Sequence, residues 1–254
     1  ANIKTDVPYK TIAELWNERA SRLADKTYLH FRERAWSYAE MNLQAEKAAG
    51  LLKSLEAQRG EHVAVLVPNS PEFLFLWFGA MKGGFTAVTI NTLLKAEELA
   101  YIIDDCDARI LVATPAFRRL LEPVLPGLSK LEHVVLTEPD TQSSGYKLLP
   151  EEMQRAEPYA AAGLTGSDKA SMIYTSGTTG HPKGVILSHG NILYNSYVTH
   201  QMIDLEESDT ALCIMPLFHV NAQIASMMST LWAGASVVLE DGFKPRSFIG
   251  TLKQ

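Results

Sequence analysis

The chain switches repeatedly between two hydrophobic periods, and no other feature restricts its fold as much. Tyr38, Met41, Ala45, Ala48, Leu52 and Leu55 recur every three or four residues, which predicts an amphipathic helix with Ser37 as its N-cap. Residues 62–67, with Val63, Val65 and Val67, predict a short buried strand that Pro68 stops. Ser70-Pro71-Glu72 then has the cap and first-turn order of a helix running towards Gly83-Gly84. The cycle continues with a strand over 85–90, a helix over 96–103, a strand over 109–112, a helix over 115–125 and a strand over 133–136. Residues 138–168, rich in Ser, Gly, Pro and charge, read as a loop or linker whose Ala160-Ala161-Ala162 centre is linker or short helix. Beyond it the pattern predicts strands over 171–174 and 185–187, a helix from Asn191, and a strand over 210–215. A helix over 223–231, a strand over 236–239 and a helix from Pro245 complete it. Strands alternating with helices require right-handed crossovers and a largely parallel sheet covered on both faces, an α/β fold. No internal repeat of fixed period occurs.

Composition narrows the function classes. With 254 residues, 46% of them hydrophobic, the chain can bury a full core, and 16 Gly, 12 Pro and 2 Cys exclude collagen-like and disulfide-scaffold chains. The net charge is -6 and no basic tract occurs, so no nucleic-acid partner is expected, and an anionic ligand must be met by a local set of donors. Cys106 and Cys213 fit neither a metal spacing nor a redox pair, which points to a reduced, cytoplasmic setting. The first residues lack the apolar core of a secretory signal. Residues 220–239 carry no charge, but Asn221, Gln223, Ser226, Ser229, Thr230 and Ser236 interrupt them and Gly234 marks a turn. They predict a buried helix and strand, not a transmembrane segment.

The chemistry concentrates directly after the strand over 171–174, in Thr175-Ser176-Gly177-Thr178-Thr179-Gly180-His181-Pro182-Lys183-Gly184. Glycines let the backbone turn several N–H groups towards one point, hydroxyls add donors without bulk, and a lysine supplies charge to a polyphosphate. The C-terminal end of a parallel strand is where open α/β sheets bind ligands. The order is not that of a Walker A loop, because His181-Pro182 precedes Lys183 and Gly184 follows it; no G-x-G-x-x-G occurs either. A plain polar turn would need fewer of these residues.

Tyr174 to Gly184 resembles the phosphate-loop signature of the adenylate-forming (AMP-binding) superfamily, which includes acyl-CoA ligases, luciferases and peptide-synthetase adenylation domains. Trp36-Ser37-Tyr38-Ala39-Glu40-Met41 is similar to an early motif of that superfamily. The stretch from Met81 to Asn91 resembles the next one, with Thr89 at the usual Pro. Met215-Pro216-Leu217-Phe218-His219 matches the motif after the phosphate loop in CoA ligases. Ile90-Asn91 followed by Leu94-Lys95-Ala96-Glu97-Glu98-Leu99 looks like the acyl-CoA ligase branch, and Val220-Asn221-Ala222-Gln223 resembles fatty-acyl and crotonobetaine/carnitine ligases.

The resemblance implies mostly parallel sheets flanked by helices, part of the large N-terminal domain of the acyl-CoA synthetase-like fold. Residues 1–137 would form a first α/β region, 138–168 a linker, and 169–254 the region with the phosphate loop and the acyl-site histidine. It implies that a carboxylic acid attacks Mg-ATP to give acyl-adenylate and pyrophosphate, and that CoA then takes the acyl group. Thr175, Ser176, Gly177, Thr178, Thr179, Gly180 and Lys183 would hold the phosphates, and Thr175 would also approach Mg2+. Lys183 and His219 are the implied catalytic residues, with His219 and Asn221 bordering the carboxylate end of the acyl pocket. By itself, a lone histidine at an apolar junction is more often a satisfied structural group, so the motif around His219 carries that reading.

The family's adenine-holding, Mg-ligating and ribose-gripping motifs and its small C-terminal domain do not occur in residues 1–254, so this chain alone is expected to be inactive. A sheet cut midway would also expose an edge and self-associate. A peptide-synthetase-like or luciferase-like enzyme, and a non-catalytic nucleotide-binding or assembly module, remain the alternatives.

Overall fold

The computed structural model describes residues 3–140, 145–175 and 181–242. Helix α1 (Ile12–Arg22) comes first and is capped by Thr11, whose side chain accepts from Glu14 N–H. A hairpin of β1 (Thr27–Phe31) and β2 (Arg34–Ser37) follows. Ser37 then starts α2 (Tyr38–Ser54) in a capping box with Glu40, so two otherwise orphaned N–H groups are met reciprocally. Strand β3 (His62–Leu66) leads to α3 (Pro71–Lys82), capped by Ser70 with Pro71 in the first turn. Next come β4 (Thr86–Thr89), α4 (Ala96–Asp105) and β5 (Ile110–Ala113).

The helix expected over 115–125 is broken. A 3-10 turn, Pro115–Phe117, leads into the single turn α5 (Arg118–Leu121), and a second 3-10 turn covers Leu125–Gly127. Pro123 explains the break, since it lacks an N–H and its ring crowds the carbonyl four residues back.

After β6 (His133–Leu136), the stretch read as loop holds β7 (Lys147–Leu148) and α6 (Leu149–Arg155), which buries Leu149 and Met153. No helix forms at Ala160–162. That segment is docked nonetheless, with Tyr159 N–H on Glu46 O and Ala161 N–H on Lys82 O. Strands β8 (Lys169–Thr175) and β9 (Lys183–Ser188) precede α7 (His189–Met202). Asn191 is not the start of that helix but the third residue of a capping box with Ser188.

Strand β10 (Thr210–Cys213) leads towards a π-helical segment, Ala222–Met228, that passes into α8 (Ser229–Ala233). Gly234 turns the chain at φ +74 into β11 (Ser236–Leu239). The expected helix over 223–231 is therefore π-wound in its first two thirds. The helix expected from Pro245 lies outside the described residues.

Among the described residues two sheets form rather than one. The larger has the order β7-β6-β5-β3-β4-β8-β9, and the smaller β10-β11-β1-β2. Pairing is parallel except within the β1–β2 and β8–β9 hairpins. Strand β3 shows why the large sheet needs cover on both faces. Val63 and Val65 belong to the main core with α2 and α3, while Ala64 and Leu66 belong to a second core with Leu99, Ile102 and Ile103 of α4.

Helices α2 and α3 cross closely at Gly79, where a Cβ would come within 2.6 Å of Ala45 O. Trp16, Tyr28, Tyr38 and Phe78 pack edge-on or tilted against one another in the main core. Asn69 joins the sheets by donating from Nδ2 to Met215 O and Glu240 O, both at 3.0 Å. Among the described residues no helix is long and apolar enough to cross a membrane.

Candidate phosphate and carboxylate site

The chemistry-bearing segment closes a β-hairpin. Strand β8 runs parallel to β4, with Thr89 opposite Ile173, and β9 returns antiparallel so that Thr175 pairs with Lys183. The loop therefore leaves the C-terminal end of a parallel strand, as expected, but returns as a strand rather than entering a helix. Ser176, Gly177, Thr178, Thr179 and Gly180 lie outside the described residues.

Thr175 and Lys183 flank them as ladder partners, both exposed, with the Thr175 hydroxyl 3.5 Å from Lys183 O. Gly184 has a packing reason. It faces Tyr174 across the hairpin, and a Cβ there would lie 2.9 Å from Met172 Sδ and 3.1 Å from the Tyr174 ring.

Both stems of the loop are tied to α4, a contact that no local spacing announces. Tyr174 donates its hydroxyl to Asp105 Oδ2 at 2.5 Å. From the other stem, the His181 ring stacks on Tyr101 with centroids 4.6 Å apart. The Tyr101 hydroxyl is placed to donate to Pro182 O at 3.3 Å or Asp105 Oδ1 at 3.4 Å. Burial, then the Asp105 hydrogen bond, pushes the Tyr174 phenol well above its usual range, and burial with the Asp105 charge raises that of Tyr101. Both phenols stay protonated and remain hydrogen-bond donors.

His219 reaches the same end of the sheet by another route. It is exposed, in the turn between β10 and the π-helical segment, where its N–H donates to Pro216 O at 3.0 Å. Its ring lies against Phe218, centroids 4.4 Å apart. Asn221, also exposed, lies two residues on. The turn is docked on the C-terminal end of β4, where Thr89 Oγ1 lies 3.5 Å from Phe218 O. Since β4 neighbours β8, His219 and the Thr175–Lys183 pair belong to adjacent strand ends.

Beside them, Leu187, Asn191, Ile192, Tyr194, Asn195, Val220 and Ile224 line an open, mainly apolar cavity of about 460 Å3. Val185 and Ile186 on β9, with Tyr194 and Val220, expose apolar surface next to it.

The described residues do not make a magnesium site by themselves. Of the expected ligand set they supply the single hydroxyl of Thr175, and no cluster of three His, Cys, Asp or Glu with metal geometry occurs among them. Cys106 and Cys213 are buried, unpaired thiols, and burial pushes Cys106 up to about 12 and raises Cys213 as well.

A strand-end Thr/Gly/Lys hairpin beside a Met-Pro-Leu-Phe-His turn is the pattern on which known proteins can be compared. A family profile described as "AMP-binding enzyme" matches residues 16–254. The chain belongs to the AMP-binding enzyme family.

Its curated relatives include a crotonobetaine/carnitine–CoA ligase of Salmonella paratyphi A, 32% identical over 255 residues, with 96% of this chain and 49% of the relative covered. The corresponding ligase of Escherichia coli K12 is 31% identical over 253 residues with the same coverage. Among solved structures, an anthranilate CoA ligase in complex with anthranoyl-AMP superposes with a TM-score of 0.87 at 31% identity, covering 97% of this chain and 48% of that one. A long-chain-fatty-acid–CoA ligase from Archaeoglobus fulgidus gives 0.88 at 25% identity, with 97% and 50% covered. The AMP-binding chain thus spans about half the length of the curated relatives it matches. Its fold is that of the N-terminal domain of acyl-CoA ligases.

Proposed function

We propose that the protein is an ATP-dependent acid–thiol ligase. A carboxylate oxygen attacks the α-phosphorus of ATP, the bond to the β-phosphate breaks, and acyl-adenylate and pyrophosphate form. The thiol of CoA then displaces AMP. The observation that carries this reading is the meeting of two groups at adjacent strand ends: the Thr175–Lys183 rung beneath the loop, and the His219 turn seated on β4.

Lys183 supplies positive charge where pyrophosphate charge develops, and its place on a strand fixes which side of the hairpin the ammonium serves. Tyr174, Tyr101 and Asp105 hold both stems, so less ordering remains to be done when phosphates bind. His219 and Asn221 stand at the carboxylate end, next to the apolar cavity at Val220. Magnesium would arrive with the phosphates of ATP and offset their charge, with Thr175 as the hydroxyl offered from this chain. Two buried, unpaired thiols support a cytoplasmic setting.

The test is carboxylate-dependent ATP–pyrophosphate exchange, assayed on a panel of aliphatic and aromatic acids with the protein at its natural length. Exchange that requires a carboxylate is expected, and Lys183→Ala should slow it by about 100-fold, as loss of an electrostatic stabiliser does. Exchange with no acid, or an unchanged rate in Lys183→Ala, would remove the assignment.

A further inference from the structure

The turn that carries His219 is neither strand nor regular α-helix, so its main chain has to be fixed from outside. Three side chains do this. Asn69 accepts from Leu217 N–H through Oδ1 at 2.7 Å, in addition to its bond to Met215 O. Gln223, 1% exposed, donates from Nε2 to Leu217 O at 2.9 Å and to Thr89 Oγ1 at 3.2 Å. Thr89, 2% exposed at the end of β4, in turn directs its hydroxyl towards Phe218 O.

The Thr89–Gln223 pair differs from an ordinary buried polar contact in where it acts. A carboxamide and a hydroxyl out of water are costly unless they are hydrogen-bonded, and here Thr89 accepts one Gln223 N–H while each passes a further hydrogen to a carbonyl of the turn. Between them they reach the carbonyls of Leu217 and Phe218, the two residues before His219. Gln223 also takes hold of His219 itself, since its backbone N–H donates to His219 O at 3.3 Å. Thr89, at the other end, is paired in register with Ile173 of β8, two residues before Thr175.

The chain of contacts therefore runs from the phosphate-loop strand, across β4, to the histidine turn. Gln223 is also the second residue of the π-helical segment. Wide winding over Ala222–Met228 is unusual and tends to occur at functional sites. A side chain without a hydroxyl at position 89 would leave the Gln223 donor one partner short.

We propose that Thr89 and Gln223 are positioning residues: their buried hydrogen bond sets where His219 stands relative to β8 and the Thr175–Lys183 rung, and thereby how the carboxylate meets the α-phosphate. The inference rests on the adenylating reaction proposed above for its consequence in catalysis, but not for the placement of His219.

Two measurements test it. In the first, the His219 ring resonances are followed in 13C-histidine-labelled protein without ligand. Thr89→Val and Gln223→Leu should each displace them, and Thr89→Ser should restore them. Ser229→Ala, which deletes a buried hydroxyl bonded to Ile224 O at 2.9 Å just beyond the same segment, should leave them in place. A merely structural role would lower stability in all of these without selecting His219. Thr89→Val keeps the side-chain shape, so it carries the test if Gln223→Leu fails to fold.

The second measurement is pyrophosphate exchange with butyrate, octanoate or benzoate as the acid. Both variants should raise the carboxylate KM about tenfold while changing the ATP KM less than about twofold. Unmoved His219 resonances in folded Thr89→Val, or Thr89→Ser moving them as far as Thr89→Val does, would overturn the proposal. If the unaltered protein exchanges with no acid, the adenylation reading fails while the resonances still decide the placement of His219.

Discussion

Taking the protein from about pH 7.5 to about pH 5 should destabilise it by about 2 kcal/mol through His189 alone. This imidazole is the first residue of α7 and is fully buried. Its Nδ1 accepts the N–H of Ile12 at 3.3 Å, which ties the start of α1 to the element following β9, while Nε2 has no partner among the described residues. Burial is the largest influence on it and holds its pKa down from 6.5 to about 4, with Asp168 opposing and Arg59 reinforcing the shift. The folded state therefore keeps the ring neutral at pH values where the unfolded chain protonates it. Between about pH 6.5 and about pH 4 the unfolded state binds more protons, so stability falls as pH falls through that window and levels off below it. A gap of about two and a half pH units, at 1.36 kcal/mol each, gives a full loss of about 3 kcal/mol, of which about 2 has accrued by about pH 5.

The assay is urea unfolding at both pH values for the unaltered protein and for His189→Gln, which keeps a polar side chain and removes the titration. The variant should be less stable at about pH 7.5 but should lose about 2 kcal/mol less on acidification. His200, also held low by burial and by Arg19, is present in both proteins and cancels in the difference. Asp168, held down to about 2 by the Thr165 N–H and Arg59, loses its contribution only as pH falls below its usual 3.8, outside the measured interval. Equal acid losses in the two proteins would refute the reasoning.

Lys82 offers a second test, being fully buried with Nζ on Glu46 Oε1 at 2.9 Å, on Asn17 Oδ1 at 2.8 Å and on Asn42 Oδ1. Burial lowers its pKa against the pull of Glu46, so the ammonium is costly to keep but more costly to delete singly. In denaturant unfolding, Lys82→Met should lose about 3 kcal/mol, and the double change with Glu46→Leu should recover most of it. Tyr174→Phe, which releases one loop stem from Asp105, should raise the KM for ATP several-fold and leave that for the carboxylate unchanged in the exchange assay. Strand β9 is an edge with Val185 44% and Ile186 42% exposed, so sedimentation should show the chain self-associating and Ile186→Lys shifting it towards monomer.

Elements whose signals are local were legible in the sequence. Ser37 and Ser70 announce helices because a cap and its first turn lie within four residues, and the strands over 62–67 and 133–136 show as unbroken apolar runs. The division into two sheets was not legible, since Leu29 pairs with Val237 and nothing near either residue encodes that partner. Helix α6 was hidden by a composition typical of loops, although Leu149 and Met153 have helical spacing. At the site, Thr175, Lys183, His219 and Asn221 were reached through motif order. Asp105 and Tyr101 were not, and Thr89 and Gln223 appeared only as motif positions without a role, because the groups that give them meaning lie 69 to 134 positions away.

The smaller sheet has a consequence for the order in which the molecule can be built. Every strand of the seven-stranded sheet has been made by Ser188, so that sheet can assemble while synthesis continues. The β1–β2 hairpin, which precedes the other described strands, has no β11 to pair with until Leu239 is in place. Throughout that interval β1 presents an open edge, and Tyr28 lacks the Met227 carbonyl that later accepts its hydroxyl. Of the described strands, β1 and β2 are thus made first and secured last, and this hairpin stays open to mispairing while the chain grows.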